Sequence, residues 1–399
     1  MWKTSHKILG YIAFFCLVCI GGALISGNVV LAAKANVDGA KSAVKTAYEQ
    51  YQTQVDVSRY YLYNGRDDEV IIDMMTEIVA ETPGLFYVGG RFSKIVDAVT
   101  GQIVGLELSY ADSFVSSSGK IKIDKIKKVR TQINAKVKKI LSQVSPNMTN
   151  LEKALVFHDY LIQNTSYYDG DEDYVTSEWG VFLKGRGNCQ GYSKAYGILL
   201  EKVGIPVKYA DSVKMNHMWN VIKLNGKWYH VDVTWDDPVN PETLKNQYGL
   251  VLHDNFLCST SNMKKKGYTD IRCSVKTSTK HDNKYWKQVN SGFVYRNGKW
   301  LFQTNTAIKQ RDRIASGSSR NLVQAGGTSF IPANKNKYYF INYNRVFLYN
   351  RKTNQISLVL DGVIDYKQYN LTQLQYQKGE LEIRMSKGGK TKIVIMKVS

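Results

Sequence analysis

The sequence predicts an α+β protein with an α/β N-terminal domain, a mixed central domain and an all-β C-terminal region. Helical spacing of apolar residues is confined to the part before residue 276, and beyond it short apolar strands recur about every ten residues. The 399 residues are enough for two or three domains behind a leader. We therefore divide the chain into residues 1–35, 36–145, 146–275 and 276–399.

Residues 1–35 have the pattern of an export signal. Lys3, His6 and Lys7 precede an uncharged run over residues 8–33, and Ala33-Lys34-Ala35 fits a small-x-small cleavage site. The run is also long enough to span a bilayer. Two outcomes stay open, a cleaved signal peptide and a retained membrane anchor. Both place the rest of the protein outside the cell or on its surface.

Residues 36–145 alternate helical and strand-like patterns. The predicted elements are a helix over 37–52, a strand over 55–62, a helix capped by Asp67 that ends before Pro83, a strand over 85–88, a hairpin of 95–99 with 103–110, and a basic helix over 124–144. The basic helix has one apolar face and lysines elsewhere. Of a polyanion contact and a solvated face, the second is favoured, because charge runs usually face water.

A reactive cysteine is predicted at the start of a helix. Gly187 and Asn188 form a turn, a helical pattern runs over 189–203, and Gly204-Ile205-Pro206 ends it. Cys189 falls in the first helical turn, where N–H groups and the helix dipole favour a thiolate. The alternative is a buried structural cysteine, which behaves as a small apolar residue.

A histidine and an aspartate are predicted to meet on a hairpin. Asn225-Gly226 is typical of a two-residue type I′ turn between strands over 216–224 and 227–235. This register puts four side chains on one sheet face: His217, Trp219, Asp232 and Thr234. His217 and Asp232 are then diagonal neighbours within hydrogen-bonding reach. His230 lies on the same face, so register alone does not choose between the two histidines.

These motifs resemble the transglutaminase-like superfamily over residues 151–238. The shared patterns are Gly-x-Cys-x-Gly-Tyr opening a helix, Gly-Ile-Pro ending it, His-x-Trp-Asn on a strand, and Trp-Tyr-His-Val-Asp-Val-Thr-Trp-Asp-Asp-Pro. The resemblance implies a papain-like α+β core with a Cys-His-Asp triad. It assigns Cys189 as nucleophile, His217 as base and Asp232 as orienting acid. Residues 253–257 resemble a downstream stretch of the same family.

The remaining polar residues of 146–275 receive structural interpretations. Thr149 and Glu152 form a capping box that opens a helix to about residue 163. His158 and Asp159 are interpreted as core residues of that helix, and Asp236-Asp237-Pro238 as a turn. The acidic loop over 169–173 lacks the spacing and glycine of a Ca²⁺ site, so no metal and no cofactor is expected.

The C-terminal region reads as strands joined by tight turns, the first at Asn297-Gly298. A meander, a sandwich and a partial propeller are all compatible with this spacing. A role in binding carbohydrate or wall polymer and a purely structural role both remain open.

Charge and cysteine content restrict the partners. The net charge of +20 favours anionic cell-envelope polymers, and nucleic acid is excluded because the chain is expected to be exported and carries no nucleic-acid motif. Three cysteines follow the leader, so at least one thiol is free. A Cys258–Cys273 bridge and three reduced thiols are equally compatible with the sequence.

Together, the residues and the resemblance imply an exported cysteine enzyme that acts on amide bonds of a protein or peptide through a thioester. Peptidase-type hydrolysis is the expected outcome. The alternatives are a protein-crosslinking transglutaminase and a non-catalytic cell-surface binding protein that uses the same fold.

Overall fold

The computed structural model describes residues 18–20, 35–238, 250–324, 329–334, 336–362, 369–377, 379–387 and 390–398. The chain forms two compact units, one of residues 1–135 with 171–179 and the other of residues 136–170 with 180–399. Mixed helices and strands followed by antiparallel sheets confirm the predicted fold class. The four-part division of the chain stays a prediction.

Little of the predicted leader belongs to the described residues. Of residues 1–34, only the backbone of Val18–Ile20 is described, as a short strand, β1. The rest of the apolar run, with Ala33 and Lys34 of the predicted cleavage site, lies outside the described residues. Within the described ranges, no helix has the length and apolar character needed to cross a bilayer.

The first unit contains a four-stranded sheet and two helices that precede its central hairpin. Its elements are α1 (Val37–Glu49), β2 (Gln54–Asp56), α2 (Asp68–Glu81), β3 (Val88–Asp97) and β4 (Ile103–Tyr110), and the sheet order is β1-β3-β4-β2. The predicted β3–β4 hairpin is confirmed, with Gly101 at φ 71° in its turn. Glycine adopts this left-handed conformation without steric cost.

Two predicted strands of this unit are wrong. The strand predicted over 55–62 ends at Asp56, whose carboxylate accepts the N–H of Ser58 at 2.8 Å. Such a side-chain turn competes with the sheet ladder and here starts a 3₁₀ turn. The strand predicted over 85–88 is a turn, because Gly84 at φ 89° redirects the chain and β3 begins at Val88.

The basic helix is confirmed as α3 (Ile123–Leu141). Its predicted apolar face is buried along its whole length, while most of its lysines are exposed. The buried face consists of Ile126, Val129, Ile133, Val137 and Ile140. Burial of this stripe explains the helix, as expected for an amphipathic segment.

The central part of the second unit surrounds a four-stranded sheet of order β10-β9-β8-β7. Its elements are α4 (Asn150–Asn164), β5 (Ser166–Tyr167), a π-helical turn (Gly180–Lys184), β6 (Arg186–Gly187), α5 (Cys189–Lys202), β7 (Val207–Ser212), β8 (His217–Leu224), β9 (Lys227–Val231), α6 (Val233–Asp236), β10 (Phe256–Cys258) and α7 (Thr260–Lys265). The capping box of Thr149 and Glu152 that opens α4 is confirmed.

The central hairpin has the predicted register. Leu224 pairs with Lys227 and Asn220 with Val231 across the Asn225-Gly226 turn, in which both residues have positive φ. The strand predicted to reach Trp235 is wrong at its end. It stops at Val231, because Asp232 caps the short helix α6 with its side chain.

The C-terminal region is built from antiparallel meanders, in which consecutive strands are neighbours. The three sheets have the orders β11-β12-β13-β14, β15-β16-β17-β18 and β19-β20-β21. Their strands are Val294–Arg296, Lys299–Gln303, Ile308–Arg311, Arg320–Val323, Ser329–Pro332, Lys337–Asn342, Arg345–Asn350, Gln355–Asp361, Asn370–Gln377, Glu380–Lys387 and Lys390–Lys397, numbered β11 to β21 in that order. The predicted turn at Asn297-Gly298 joins the first two.

Glu152 connects α4 to the first of these sheets. Its buried carboxylate accepts the indole N–H of Trp300 at 3.0 Å and the backbone N–H of Ile314 at 3.1 Å. Arg313 pairs with it at 3.2 Å, and the N–H of Thr149 at the helix cap donates to it at 2.9 Å. A buried carboxylate is tolerable only when donors replace its water, so these contacts must form together.

We predict that Glu152→Ala strongly destabilises the second unit. The substitution leaves several buried donors without an acceptor, so the free energy of unfolding should fall by about 2–4 kcal/mol in urea titrations. Lys153→Ala, at the adjacent half-buried position, is the control and should cost less than about 1 kcal/mol. Equal losses in the two variants would contradict this account of Glu152.

Candidate active site

Cys189 lies at the N-terminus of α5, as predicted. Gly185 at φ 65° turns the chain into β6, and Asn188 caps the helix by accepting the N–H groups of Gln190 and Gly191 at 3.2 and 3.3 Å. The N–H of Cys189 takes no part in this cap. Cys189 is 5% exposed. Its sulfur therefore faces the positive end of a helix dipole from a largely desolvated position.

His217 and Asp232 form a close pair. The Nε2 atom of His217 lies 2.6 Å from Oδ2 of Asp232, and Asp232 is completely buried. The other carboxylate oxygen accepts the N–H of Trp235 at 3.0 Å. The prediction that Thr234 continues the strand opposite His217 is wrong, since Thr234 lies in α6. The helix turn nevertheless holds the carboxylate against the imidazole.

The Cys189 side chain is the second partner of the imidazole. Burial by itself would lower the pKa of His217, but Asp232, by charge and hydrogen bonding, and then the hydrogen bond and charge of Cys189 raise it to about 10. With Nε2 held by Asp232, Nδ1 is the ring nitrogen left for the thiol. The structure thus brings Cys189, His217 and Asp232 together in the order required for a thiolate–imidazolium pair.

Aromatic rings fix the plane of the imidazole. His217 stacks on Trp219 at a centroid distance of 5.5 Å and on Trp235 at 5.1 Å, with interplanar angles of 23° and 22°. Trp219 is buried, whereas Trp235 is 43% exposed. Tyr268 packs against both indoles at 5.2 and 4.4 Å. Trp235 therefore offers an apolar surface beside the imidazole.

His230 is committed to the packing of the sheet. Its Nδ1 accepts the indole N–H of Trp219 at 2.9 Å, and its Nε2 bonds Thr260 at the same distance. Burial lowers the pKa of His230 to about 4, so the ring is neutral at physiological pH. The two histidines of the motif therefore have different partners: His230 bonds Trp219 and Thr260, and His217 bonds Asp232.

Two tyrosines beside the triad carry no sequence signal. The hydroxyl of Tyr268 donates to Oδ2 of Asp232 at 2.7 Å. Tyr167, in β5 next to β6, is close enough to Cys189 that burial and then the neighbouring Cys189 side chain raise the pKa of Tyr167 above the usual range. Both come from loop-like stretches outside the matched motifs, and only their tertiary contacts identify them.

A second polar cluster lies on α4. His158 bonds Asp159 through Nδ1 at 2.9 Å and Asp236 through Nε2 at 3.0 Å, and His253 bonds Asp159 at 3.0 Å. Asp236 also accepts the N–H of Asn255 at 2.9 Å. The sequence predicts only a turn at Asp236. In the structure Asp236 is fully buried, and its hydrogen bonds hold the end of α6 in position.

This cluster could in principle attract a metal ion. Ligand atoms of His158, Asp159 and His253 lie within 4.8 Å of one another. Burial by itself would lower the pKa of His158, but hydrogen bonds to Asp159 and Asp236 raise it to about 9. An imidazolium between two carboxylates offsets part of their negative charge without a cation, so the contacts favour a structural network.

Of the two predicted alternatives, a Cys258–Cys273 bridge and three reduced thiols, the structure has the second. Cys189, Cys258 and Cys273 are free cysteines. Cys258 is fully buried, and burial raises its pKa in spite of the nearby Lys287. Cys258 is therefore a poor nucleophile at neutral pH.

We predict that His158 makes stability pH-dependent. Its pKa is raised from 6.5 to about 9 on folding, so its contribution is complete below about pH 6.5 and is lost as pH rises through 9. In urea titrations, the free energy of unfolding of wild type should fall as the pH is raised from 6.5 to 9.5. The fall in His158→Gln should be smaller by about 1–2 kcal/mol. Identical losses in the two proteins would contradict a charged His158.

Comparison with known proteins supports the resemblance seen in the motifs. Residues 137–233 match the family model of the transglutaminase-like superfamily, a range that contains Cys189, His217 and Asp232. No curated protein matches the chain.

Several solved structures are similar to parts of the chain. A TGase is 13% identical, covers 47% of this chain and 56% of its own, and gives a TM-score of 0.26. A candidate cysteine protease from Cytophaga hutchinsonii is 15% identical, with coverages of 36% and 54% and a TM-score of 0.23. The arylamine N-acetyltransferase of Salmonella typhimurium is 9% identical, with coverages of 59% and 88% and a TM-score of 0.22. The chain spans only about half the length of the first two proteins, and the assignment depends on the family model.

Proposed function

We propose that the transglutaminase-like core is a cysteine enzyme that hydrolyses amide bonds in proteins or peptides. The observation that carries the proposal is the contact sequence Asp232–His217–Cys189, with 2.6 Å between the carboxylate and the imidazole and the thiol at a helix N-terminus. The same arrangement serves nucleophilic catalysis in unrelated folds.

The proposed reaction begins from a thiolate and an imidazolium. The sulfur of Cys189 attacks the amide carbon, and the Cys189 N–H stabilises the oxyanion. His217 donates its Nδ1 proton to the leaving amine as the C–N bond breaks, which leaves a thioester. His217 then takes a proton from water, whose oxygen attacks the thioester, and the thiolate leaves. Asp232 holds the imidazole orientation throughout.

Hydrolysis is favoured over amine transfer by the surroundings of the triad. Transfer needs a site that attracts an amine and excludes water. Asp236 is occupied by His158 and Asn255, and burial raises the pKa of Asp237 to about 8, so neither offers an exposed carboxylate. Among the three tryptophans of the motif, Trp235 alone combines contact with His217 and high exposure.

Export and envelope contacts complete the proposal. The leader pattern supports an extracellular or cell-surface location, either released or held by the N-terminal segment. The net charge of +20 supports anionic envelope polymers as additional partners. The rival function, a non-catalytic surface protein, gives no reason for the thiol, imidazole and carboxylate to be assembled in one place.

The first test is thiol reactivity. Iodoacetamide should label Cys189 faster than Cys258 or Cys273 at pH 6.5, because an imidazolium stabilises its thiolate. His217→Ala should slow this labelling by about tenfold or more. Cys273→Ser is the control and should leave the Cys189 rate unchanged. Three equal rates, with no effect of His217→Ala, would refute the catalytic assignment.

The second test separates hydrolysis from crosslinking. A glutamine-containing protein and a fluorescent primary amine are offered together, and products are separated by mass. We expect free acid or cleaved peptide that depends on Cys189, because neither Asp236 nor Asp237 offers an exposed carboxylate for an amine and water is then the acceptor. Cys189-dependent incorporation of the amine, with little free acid, would establish the crosslinking alternative.

A further inference from the structure

Tyr268 is a buried tyrosine in the turn that follows α7. It is 2% exposed, and its backbone N–H donates to the carbonyl of Met263 at 3.2 Å. Its ring belongs to the same apolar cluster as Trp219, which lies two residues after His217 in β8. Residue 268 lies well outside the segment matched by the family model, which ends at residue 233.

The hydroxyl of Tyr268 shares one oxygen with the catalytic pair. Oδ2 of Asp232 receives His217 Nε2 at 2.6 Å and the Tyr268 hydroxyl at 2.7 Å, while Oδ1 receives the N–H of Trp235 at 3.0 Å. An ionised carboxylate only accepts hydrogen bonds, so the phenol must donate. Burial and the nearby Asp232 raise the pKa of Tyr268 far above its usual value, and it remains a donor at all physiological pH values.

A second hydrogen-bond donor on Oδ2 weakens the hold of the Asp232 carboxylate on the proton of His217. Hydrogen bonds to the charged form of a carboxylate stabilise it and lower its affinity for a further proton. The attraction between Asp232 and the His217 proton is therefore weaker than it would be for an unshared oxygen. A weaker attraction makes the imidazolium a better acid toward a leaving amine.

We propose that Tyr268 is a positioning residue that sets the acidity of His217 by sharing Oδ2 of Asp232. The role in turnover depends on the proposed function, whereas the effect on His217 does not. The aromatic ring of Tyr268 also supports Trp235 and Trp219, at 4.4 and 5.2 Å. Tyr268→Phe keeps this ring contact and removes only the hydroxyl, which separates the two contributions.

The test is an NMR titration of the His217 ring in the Cys189→Ala background. With the nucleophile absent, neither the thiol nor turnover influences the result. Adding Tyr268→Phe should raise the pKa of His217 by about one unit, because Oδ2 then binds the imidazole proton alone. Tyr196→Phe is the matched control: it removes another buried hydroxyl, which donates to the Ala154 carbonyl at 3.0 Å, and should cause no shift.

A second substitution works in the opposite direction. Replacing Tyr268 by 3-fluorotyrosine keeps the donor and makes it more acidic, so the pKa of His217 should fall below that of the Cys189→Ala parent. This variant also serves if Tyr268→Phe does not fold. An unchanged or lowered pKa in Tyr268→Phe, an equal rise in Tyr196→Phe, or an unchanged pKa with 3-fluorotyrosine would overturn the proposal. If Cys189 of the wild-type protein reacts no faster with iodoacetamide than Cys258 or Cys273, that result contradicts the proposed function but leaves the effect of Tyr268 on His217 standing.

Discussion

The carboxylate of Asp232 is the point on which the site depends. It is fully buried, and its three described side-chain hydrogen bonds come from the imidazole of His217, the hydroxyl of Tyr268 and the N–H of Trp235. A buried charge is stable only with such partners. The bond from Trp235 also makes Asp232 the cap of α6, so one side chain ends a strand, starts a helix and orients the imidazole of His217.

The short helix α6 is fixed at both ends by buried carboxylates. At its end, Asp236 accepts the N–H of Asn255 and bonds His158 of α4. The carbonyl of Asn255 in turn accepts the N–H of Asp232 at 3.2 Å. The His158 cluster therefore supports the triad indirectly, through the position of α6. Glu152, in the first turn of α4, makes a similar connection to the first C-terminal sheet.

The sequence predicts that Cys189, His217 and Asp232 meet, because the features that position them are local. A glycine-rich turn before a helix places Cys189, and the Asn225-Gly226 turn sets the register that brings His217 toward Asp232. The strand end is mispredicted, since alternating apolar residues give no hint that Asp232 turns back to cap a helix. For the same reason, Asp56 ends β2 earlier than expected.

The site contacts that the sequence did not predict join residues that are far apart in the chain. Tyr268 is separated from Asp232 by 36 positions and Asp236 from His158 by 78, and no periodicity relates such pairs. The division into domains, the fate of the leader and the roles of the site residues stay predictions. The match to the transglutaminase-like model supports the family of the core, but substrates and cellular location depend on chemistry beyond it.

The most direct measurement is ¹⁵N NMR of the His217 ring in wild-type protein at neutral pH. The account predicts an imidazolium with both nitrogens protonated and a strongly deshielded Nε2 proton, because a buried carboxylate accepts it at 2.6 Å. That signal should persist in Cys189→Ala and disappear in Asp232→Asn. A neutral ring, or a signal unaffected by Asp232→Asn, would contradict the central role of Asp232.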